Sequence, residues 1–229
     1  MITVEMSSLM TKVRDYDEMI QQKAESGHVD DIDGFVHVMP PAGFVFHESR
    51  VGSTLVANSL AAMDPEAHRV LSESNPINMA LQVCEGKHVC DMEMAANIFR
   101  DVVYLMGRTN SPKEKHVFFK VSSVGTKRMK VMREALPNTP WIFVYRNPVQ
   151  TMMSHLDPSK TGDFSKIGRH GKERHINAVC TKARRNPPED LIKLVKDIGQ
   201  KVGEISDIEF CAAHLVSAII MLNAVSFYL

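Results

Sequence analysis

Short apolar runs alternate with longer amphipathic stretches from residue 43 to residue 156. Four runs are rich in β-branched or aromatic residues and are bounded by turn signals, which is typical of buried parallel strands. These predicted strands are Gly43–His47, Arg69–Ser72, His116–Val121 and Trp141–Tyr145. Helical patterns cover Ser53–Met63, Asp91–Met106, Val124–Leu136 and Pro148–Leu156. The alternation predicts an α/β fold, a three-layer sandwich with a central parallel sheet of about four to five strands and helices on both faces.

The two ends of the chain have a different pattern. Residues 1–34 are polar and predict a helical N-terminal extension, so the α/β domain is expected to occupy residues 35–229. After the fourth strand the pattern is helical, through Pro188–Val202 to the end, and no further strand is predicted. The chain stops inside an apolar run, Phe210–Leu229. We therefore expect a domain that is incomplete at its C-terminus.

The apolar run Phe210–Leu229 has two interpretations. Its 20 residues carry no charge, which is the length needed to span a bilayer. It also contains four polar residues, and no basic cluster follows it; the four are His214, Ser217, Asn223 and Ser226. We therefore favour a buried core helix, and membrane association through this run stays open as the alternative.

Composition limits the classes of partner. Lys plus Arg and Asp plus Glu are equal at 27 each, so no global charge favours nucleic acid. The basic segment Lys166–Arg185 could cover an anionic ligand or face an acceptor such as a sulfated glycan, or it could be a solvated helix face.

Four cysteines without a CxxC pair make a disulfide framework and a metal site unexpected. No signal peptide is visible, which favours the cytoplasm, with the Golgi or a membrane surface left open.

The first candidate site follows the first predicted strand. The strand ends at His47, a short turn contains Arg50 and Gly52, and a helix begins at Ser53. A helix N-terminus offers unpaired N–H groups to an anion, the glycine permits close approach, and the arginine adds a forked cation. The lysine of a Walker A loop is absent. The plain alternative is a serine that caps a helix after an ordinary turn.

The second candidate site follows the fourth predicted strand. Arg146 stands at the strand end, Pro148 is placed to open a helix, and Ser154 follows Arg146 by eight residues. Open α/β sheets bind nucleotides at the carboxyl ends of their strands. The alternative is an arginine paired with a surface carboxylate and a serine on a solvated helix face.

The two motifs together resemble those of sulfotransferases that use 3′-phosphoadenosine 5′-phosphosulfate (PAPS). The string Arg-x-Gly-Ser-Thr-Leu is similar to their 5′-phosphosulfate loop, and Arg146-Asn-Pro with Ser154 is similar to their 3′-phosphate motif. The resemblance implies a P-loop NTPase-like sulfotransferase fold and PAPS as co-substrate, without a metal. It places the 3′-phosphate at Arg146 and Ser154, and the 5′-phosphosulfate at Arg50, Val51, Gly52, Ser53 and Thr54.

Sulfuryl transfer also needs a base for the proton of the acceptor. Glu73, after the second strand, lies in a segment that resembles a Ser-Glu-Pro element of these enzymes, and a helix N-cap box with Ser72 or Ser74 is its alternative. His47 and His68 are rival bases. Lys120 matches a Phe-Lys pair common in the family and is expected to support the loop or the transferred group.

These residues predict transfer of the sulfuryl group of PAPS to a hydroxyl or amine on a small-molecule or glycan acceptor. In the transition state Arg50 would stabilise the charge that builds on the phosphate oxygens. Two alternatives remain: a P-loop kinase-like phosphotransferase, and a sulfotransferase-like interaction module that does not bind nucleotide.

Overall fold

The computed structural model describes residues 5–26, 36–84, 91–156, 184 and 187–226. The predicted basic segment Lys166–Arg185 therefore lies outside the described residues, apart from Arg184. Helices and strands follow one another along the chain in this order: α1 (Met6–Glu25), β1 (His37–Val38), β2 (Pro41–His47), α2 (Ser53–Met63), β3 (His68–Ser72), α3 (Asn75–Leu81), α4 (Met92–Gly107), β4 (Arg108–Thr109), β5 (His116–Lys120), α5 (Ser123–Thr126), α6 (Met129–Ala135), β6 (Trp141–Val144), α7 (Pro148–Leu156), α8 (Glu189–Asp197) and α9 (Asp207–Ser226).

Four strands form one parallel sheet in the order β3-β5-β2-β6. The register pairs Phe44 of β2 with Phe119 of β5, and Leu71 of β3 with the same Phe119. The predicted α/β architecture, a parallel sheet flanked by helices, is confirmed. A two-residue antiparallel pair of β1 and β4 was not predicted, because runs this short have no periodicity to detect.

The predicted helices lie at the right positions, but one of them is interrupted in the structure. Helices α2 and α7 have the predicted bounds. The stretch predicted as one helix, Val124–Leu136, is two helices, α5 and α6, separated by a turn at Lys127 and Arg128. Helix α3 was not predicted, although Pro76 near its start is a favourable first-turn residue.

The chain divides into two compact units. The first comprises Met1–Val45, Thr54–Val121 and Val131–Ile142. Its core contains a stack of Phe44 on Phe119, with ring centroids 5.3 Å apart. Phe99 of α4 packs beside them, 5.9 Å from Phe44. Apolar side chains that are fully excluded from solvent hold this unit together by the hydrophobic effect.

Several charged groups of the first unit are paired. Asp17 of α1 accepts hydrogen bonds from Arg108 at 2.7 Å and 3.1 Å and from the Tyr104 hydroxyl at 2.8 Å. Burial, followed by the hydrogen bond to Asp17, raises the pKa of Tyr104 to about 12. Arg69 donates both to Glu114 and to the Arg108 carbonyl. These contacts tie α1 and β3 to the strands and helix beside them.

The second unit comprises Phe46–Ser53, Ser122–Lys130 and Phe143–Leu229. Its apolar cluster consists of Leu191, Val195, Ile205 and Phe210. Ser206 opens α9 with a capping box, because its N–H donates to the Glu209 carboxylate at 2.7 Å and its hydroxyl accepts from the Glu209 N–H at 3.3 Å. Residues 210–226 of the apolar C-terminal run are helical as expected, with Phe210 and Leu215 buried. None of the described helices combines the length and apolar character that a bilayer crossing requires.

The expectation that the cysteines form no disulfides is wrong for Cys84 and Cys211. Both are disulfide-bonded. Cysteine number and spacing cannot reveal pairing between positions that the fold brings close, so the sequence carried no signal for it.

Candidate functional site

The residues of the first motif form a turn at the carboxyl end of β2. The strand ends at His47, residues 48–52 form the turn, and α2 begins at Ser53. Arg50 has a φ of 68° and Gly52 a φ of 89°, both in the left-handed region. Alternation of left-handed and ordinary residues turns successive backbone N–H groups toward one side and makes a concave anion-binding surface. The left-handed Arg50 is a strained conformation of the kind that concentrates at functional sites.

Gly52 is needed for its backbone conformation and not for space. A Cβ built on Gly52 would meet no atom within 4 Å, yet its φ of +89° is one that L-residues rarely adopt. Ser53, the first residue of α2, is only 6% exposed. The conformation of the turn is therefore encoded in its own residues.

The second motif begins beside the first one. The Glu48 N–H, just after β2, donates to the Val144 carbonyl at the end of β6, with N and O 3.3 Å apart. The Asn147 carboxamide then accepts the N–H groups of Val149 and Gln150, at 3.0 Å and 3.3 Å, and so caps α7. Parallel neighbouring strands thus place both motifs at one sheet edge.

His155 follows Ser154 on α7 and is buried, with 2% of its side chain exposed. Burial, followed by the charge of Arg50, lowers the pKa of its imidazole, against the opposing effect of the Ser49 backbone.

The predicted anion ligands of the second unit are accessible. Arg50 and Arg146 are both exposed, and Ser154 is partly exposed. Within the described ranges Arg50 has no hydrogen-bond or ion-pair partner, while Arg146 donates to the Gln150 carboxamide at 2.9 Å. Val51 is partly exposed. Thr54 is exposed and belongs to the first unit, although it follows Ser53 in the chain.

Glu48 is a buried carboxyl in the turn that the sequence analysis missed. It is 3% exposed, and neither carboxylate oxygen has a hydrogen-bond partner among the described residues. Burial raises the pKa of this carboxyl to about 7. Unpartnered buried polar atoms are rare in proteins and tend to mark functional positions. The signal that could have found it is its place next to the turn motif.

Three basic groups of the second unit interact with one another. Lys127 Nζ lies 3.1 Å from His214 Nδ1. Burial and then the charge of Arg128 lower the pKa of Lys127 to about 8, against the opposing charge of Asp190. Burial, Lys127 and His155, in that order, lower the pKa of His214 to about 3. Sequence reasoning did not single out Lys127 or His155, because their contacts depend on the fold.

The candidate bases occupy different surroundings. Glu73 is in the first unit, where its carboxylate pairs with the buried Lys120 and its N–H donates to the Lys120 carbonyl at 2.7 Å. Ser74 stands at the N-cap of α3 but its side chain caps nothing, so no capping box forms there. His47 is buried in the second unit, and its Nδ1 lies 2.7 Å from the Glu48 carbonyl oxygen.

His68, the third candidate base, has structural contacts in the first unit. Its Nδ1 lies 2.7 Å from the Leu60 carbonyl oxygen, and its ring meets Phe118 edge to face at 5.1 Å. Over the described part of the chain, no group of three or more His, Cys, Asp or Glu side chains is arranged to hold a metal ion.

Neither a family model, nor a curated protein, nor a solved structure matches this chain. What the site can bind is therefore inferred from its own residues.

Proposed function

We propose that this protein binds PAPS at the Glu48–Ser53 turn and at the start of α7, and transfers its sulfuryl group to a hydroxyl or amine acceptor. The observation that carries the proposal is the meeting of the two motifs. The Glu48 N–H donates to the Val144 carbonyl, although the motifs are about ninety residues apart in the chain.

Two phosphate groups on one ligand suit this arrangement. The turn offers backbone N–H groups, the Ser53 hydroxyl and the exposed Arg50, which fit the 5′-phosphosulfate. The exposed Arg146 and partly exposed Ser154 fit a second phosphate, as on the 3′ position of PAPS. A kinase-like site for a nucleoside triphosphate would need the Walker lysine, and this turn has none. The kinase alternative is therefore weaker.

The reaction is a single displacement at sulfur. The acceptor oxygen or nitrogen attacks sulfur as the bond from sulfur to the 5′-phosphate oxygen breaks, and adenosine 3′,5′-bisphosphate leaves. Arg50 and the N–H groups of the turn stabilise the negative charge that grows on that phosphate. The proton of the acceptor passes to a base, for which His47 of the same unit is the candidate.

Thermal denaturation with adenosine 3′,5′-bisphosphate tests the proposal, with ADP and ATP–Mg²⁺ as comparison ligands. A ligand that binds only the folded chain raises its midpoint. We expect selective stabilisation by the bisphosphate. We expect Arg146→Ala to weaken binding about 30-fold, the loss of one charge-assisted contact of about 2 kcal/mol.

Lys193→Ala is the matched control, because it removes an exposed cation from α8 of the same unit. Its affinity should stay within about twofold of the parent, since exposed charges away from a ligand contribute little. Equal losses in both variants would point to a general charge effect and count against the site. A folded chain that no nucleotide stabilises would favour the interaction-module alternative.

A further inference from the structure

The peptide unit that joins His47 to Glu48 is held at both of its ends. Its carbonyl, on His47, accepts a hydrogen bond from the Thr126 hydroxyl at 3.0 Å. Its N–H, on Glu48, donates to the Val144 carbonyl at 3.3 Å. The same Thr126 oxygen accepts the His47 N–H at 3.2 Å, so one side chain bonds the backbone of His47 on two sides. The turn of the first motif therefore starts from a fixed peptide.

Thr126 is itself fixed in α5, a helix of one turn. The start of α5 is capped, because the Ser122 hydroxyl accepts the Gly125 N–H at 3.3 Å. Thr126 is buried, and its N–H donates to the Ser122 carbonyl at 3.0 Å. Its hydroxyl oxygen lies 3.4 Å from that same carbonyl oxygen, which is farther than the His47 carbonyl oxygen at 3.0 Å. The hydroxyl proton is therefore directed to His47.

The backbone next to His47 determines which nitrogen of its ring carries a proton. Nδ1 of the ring lies 2.7 Å from the Glu48 carbonyl oxygen. A carbonyl oxygen only accepts hydrogen bonds, so Nδ1 is the donor. In a neutral imidazole only one nitrogen is protonated, which leaves the lone pair on Nε2. Nε2 is therefore the basic nitrogen of His47, and it is set by a backbone segment that Thr126 holds.

We propose that His47 Nε2 accepts the proton of the acceptor, and that Thr126 is the positioning residue that keeps this nitrogen unprotonated and in place. This inference rests on the proposed function, because it names the atom that takes the proton in that reaction. As the acceptor oxygen or nitrogen bonds to sulfur, its proton passes to Nε2. The 5′-phosphate oxygen leaves with the electron pair of the broken bond. The imidazolium keeps its bond to the Glu48 carbonyl and then releases the proton to water. Thr126 acts through the backbone of His47 and not by contact with the acceptor.

NMR of the ring nitrogens of His47 tests the tautomer without any ligand. At about pH 8, above the ordinary pKa of histidine, we expect the parent chain to carry a proton on Nδ1 and none on Nε2. Thr126→Val has nearly the same shape but no hydroxyl, and we expect a mixture of the two neutral forms. Thr126→Ser keeps the hydroxyl and should restore the spectrum of the parent. Thr11→Val is the matched control, because it removes an exposed hydroxyl that donates to the Ser7 carbonyl in α1 at 3.1 Å.

Turnover separates the positioning of the base from the binding of the nucleotide. The assay is the release of adenosine 3′,5′-bisphosphate from PAPS, with 2-naphthol and 2-naphthylamine as the probe hydroxyl and amine. We expect Thr126→Val to lower kcat about 10-fold and to leave KM for PAPS within about twofold, since proton transfer is affected and the phosphate contacts are not. Thr126→Ser should restore kcat, and Thr11→Val should not change it.

The outcomes separate this inference from the function on which it rests. A proton on Nε2 in the parent chain would overturn the inference, as would an unchanged kcat in Thr126→Val. Either result leaves the nucleotide site intact if adenosine 3′,5′-bisphosphate still stabilises the chain. If the bisphosphate does not bind, or PAPS gives no product with either probe, the proposed function fails and the role of His47 fails with it. Should Thr126→Val not fold, Thr126→Cys takes its place, because a thiol is only a weak donor.

Discussion

Buried charge in the first unit is paired, as is Asp207 with Arg184 in the second unit, while buried charge around the turn of the second unit is not. In the first unit, Asp17 is surrounded by Arg108 and Tyr104, and the buried Lys120 is paired with Glu73. In the second unit, the Glu48 carboxyl is buried without a described partner, and Lys127 meets another base, His214. The first arrangement neutralises charge, while the second leaves it uncompensated around the turn.

This difference indicates which unit is built for a ligand. A buried charge is tolerated when it is paired, because pairing offsets the cost of removing it from water. Groups left unpaired and shifted in pKa destabilise the chain, and such positions are enriched at functional sites. This agrees with our proposal of a ligand site at the turn of the second unit. Each variant below removes one buried ionisable group and asks whether the change in stability has the expected sign.

Asp17→Ala should cause the largest change. It leaves the Arg108 guanidinium, which is 25% exposed, without its carboxylate and removes the acceptor of the Tyr104 hydroxyl. Breaking one side of a largely buried pair should lower the free energy of unfolding by about 3 kcal/mol. Chemical denaturation of the parent and the variant measures this difference in the free energy of unfolding.

The control for Asp17→Ala is Glu66→Ala in the same unit. The pair of Glu66 with Lys113 is well exposed, at 71% and 65% of the two side chains. Its loss should cost less than about 0.5 kcal/mol. Similar losses in the two variants would mean that the Asp17 cluster is no more than surface pairing, and the contrast between the units would disappear.

Glu48→Gln should have the opposite sign. Burial raises the pKa of Glu48 from the ordinary 4.5 to about 7, so the folded chain keeps a proton that the unfolded chain has lost in this interval. Stability of the parent therefore falls as pH rises from 4.5 to 7, and glutamine, which cannot ionise, avoids the loss. Above that interval the variant should be more stable by on the order of 2 kcal/mol.

Denaturation at a series of pH values tests Glu48→Gln. The parent and variant curves should converge at acid pH and separate as the pH rises. Glu134→Gln, at an exposed position of α6, is the control and should change stability by less than about 0.5 kcal/mol. If Glu48→Gln lowered the stability at neutral pH, the carboxylate would have a partner that stabilises it. Glu48 would then resemble the paired charges of the first unit, and the contrast between the two units would not hold at this residue.

Sequence reasoning reached the strands and the turn but not the buried charges. Strand β2 and helix α2 have strong periodicity, a glycine and a hydroxyl-rich helix start, all of which are local signals. The burial of His155 depends on how α7 packs, and the raised pKa of Glu48 depends on burial. Neither is encoded in spacing. The break between α5 and α6 was missed because the apolar pattern continues through it.

His214→Gln should have the smallest effect and gives the finest test of the second unit. Burial and the charge of Lys127 lower the pKa of His214 from the ordinary 6.5 to about 3. The unfolded chain therefore binds a proton in that interval that the folded chain does not, and stability is lost as pH falls below 6.5. Glutamine can still accept a hydrogen bond from Lys127 and cannot take up the proton. At about pH 5 the variant should be more stable by about 1 kcal/mol, a value reduced for the partial exposure of the ring.

Above neutral pH the His214→Gln variant and the parent should be equal, because the imidazole is then neutral in both folded and unfolded chains. His116→Gln, on the exposed end of β5, removes a histidine outside the basic cluster and serves as the control. A parent chain that gains stability on acidification relative to His214→Gln would mean that the folded state holds the proton. His214 would then have an interaction that favours its charged form, and the contrast with the paired charges of the first unit would fail at this residue.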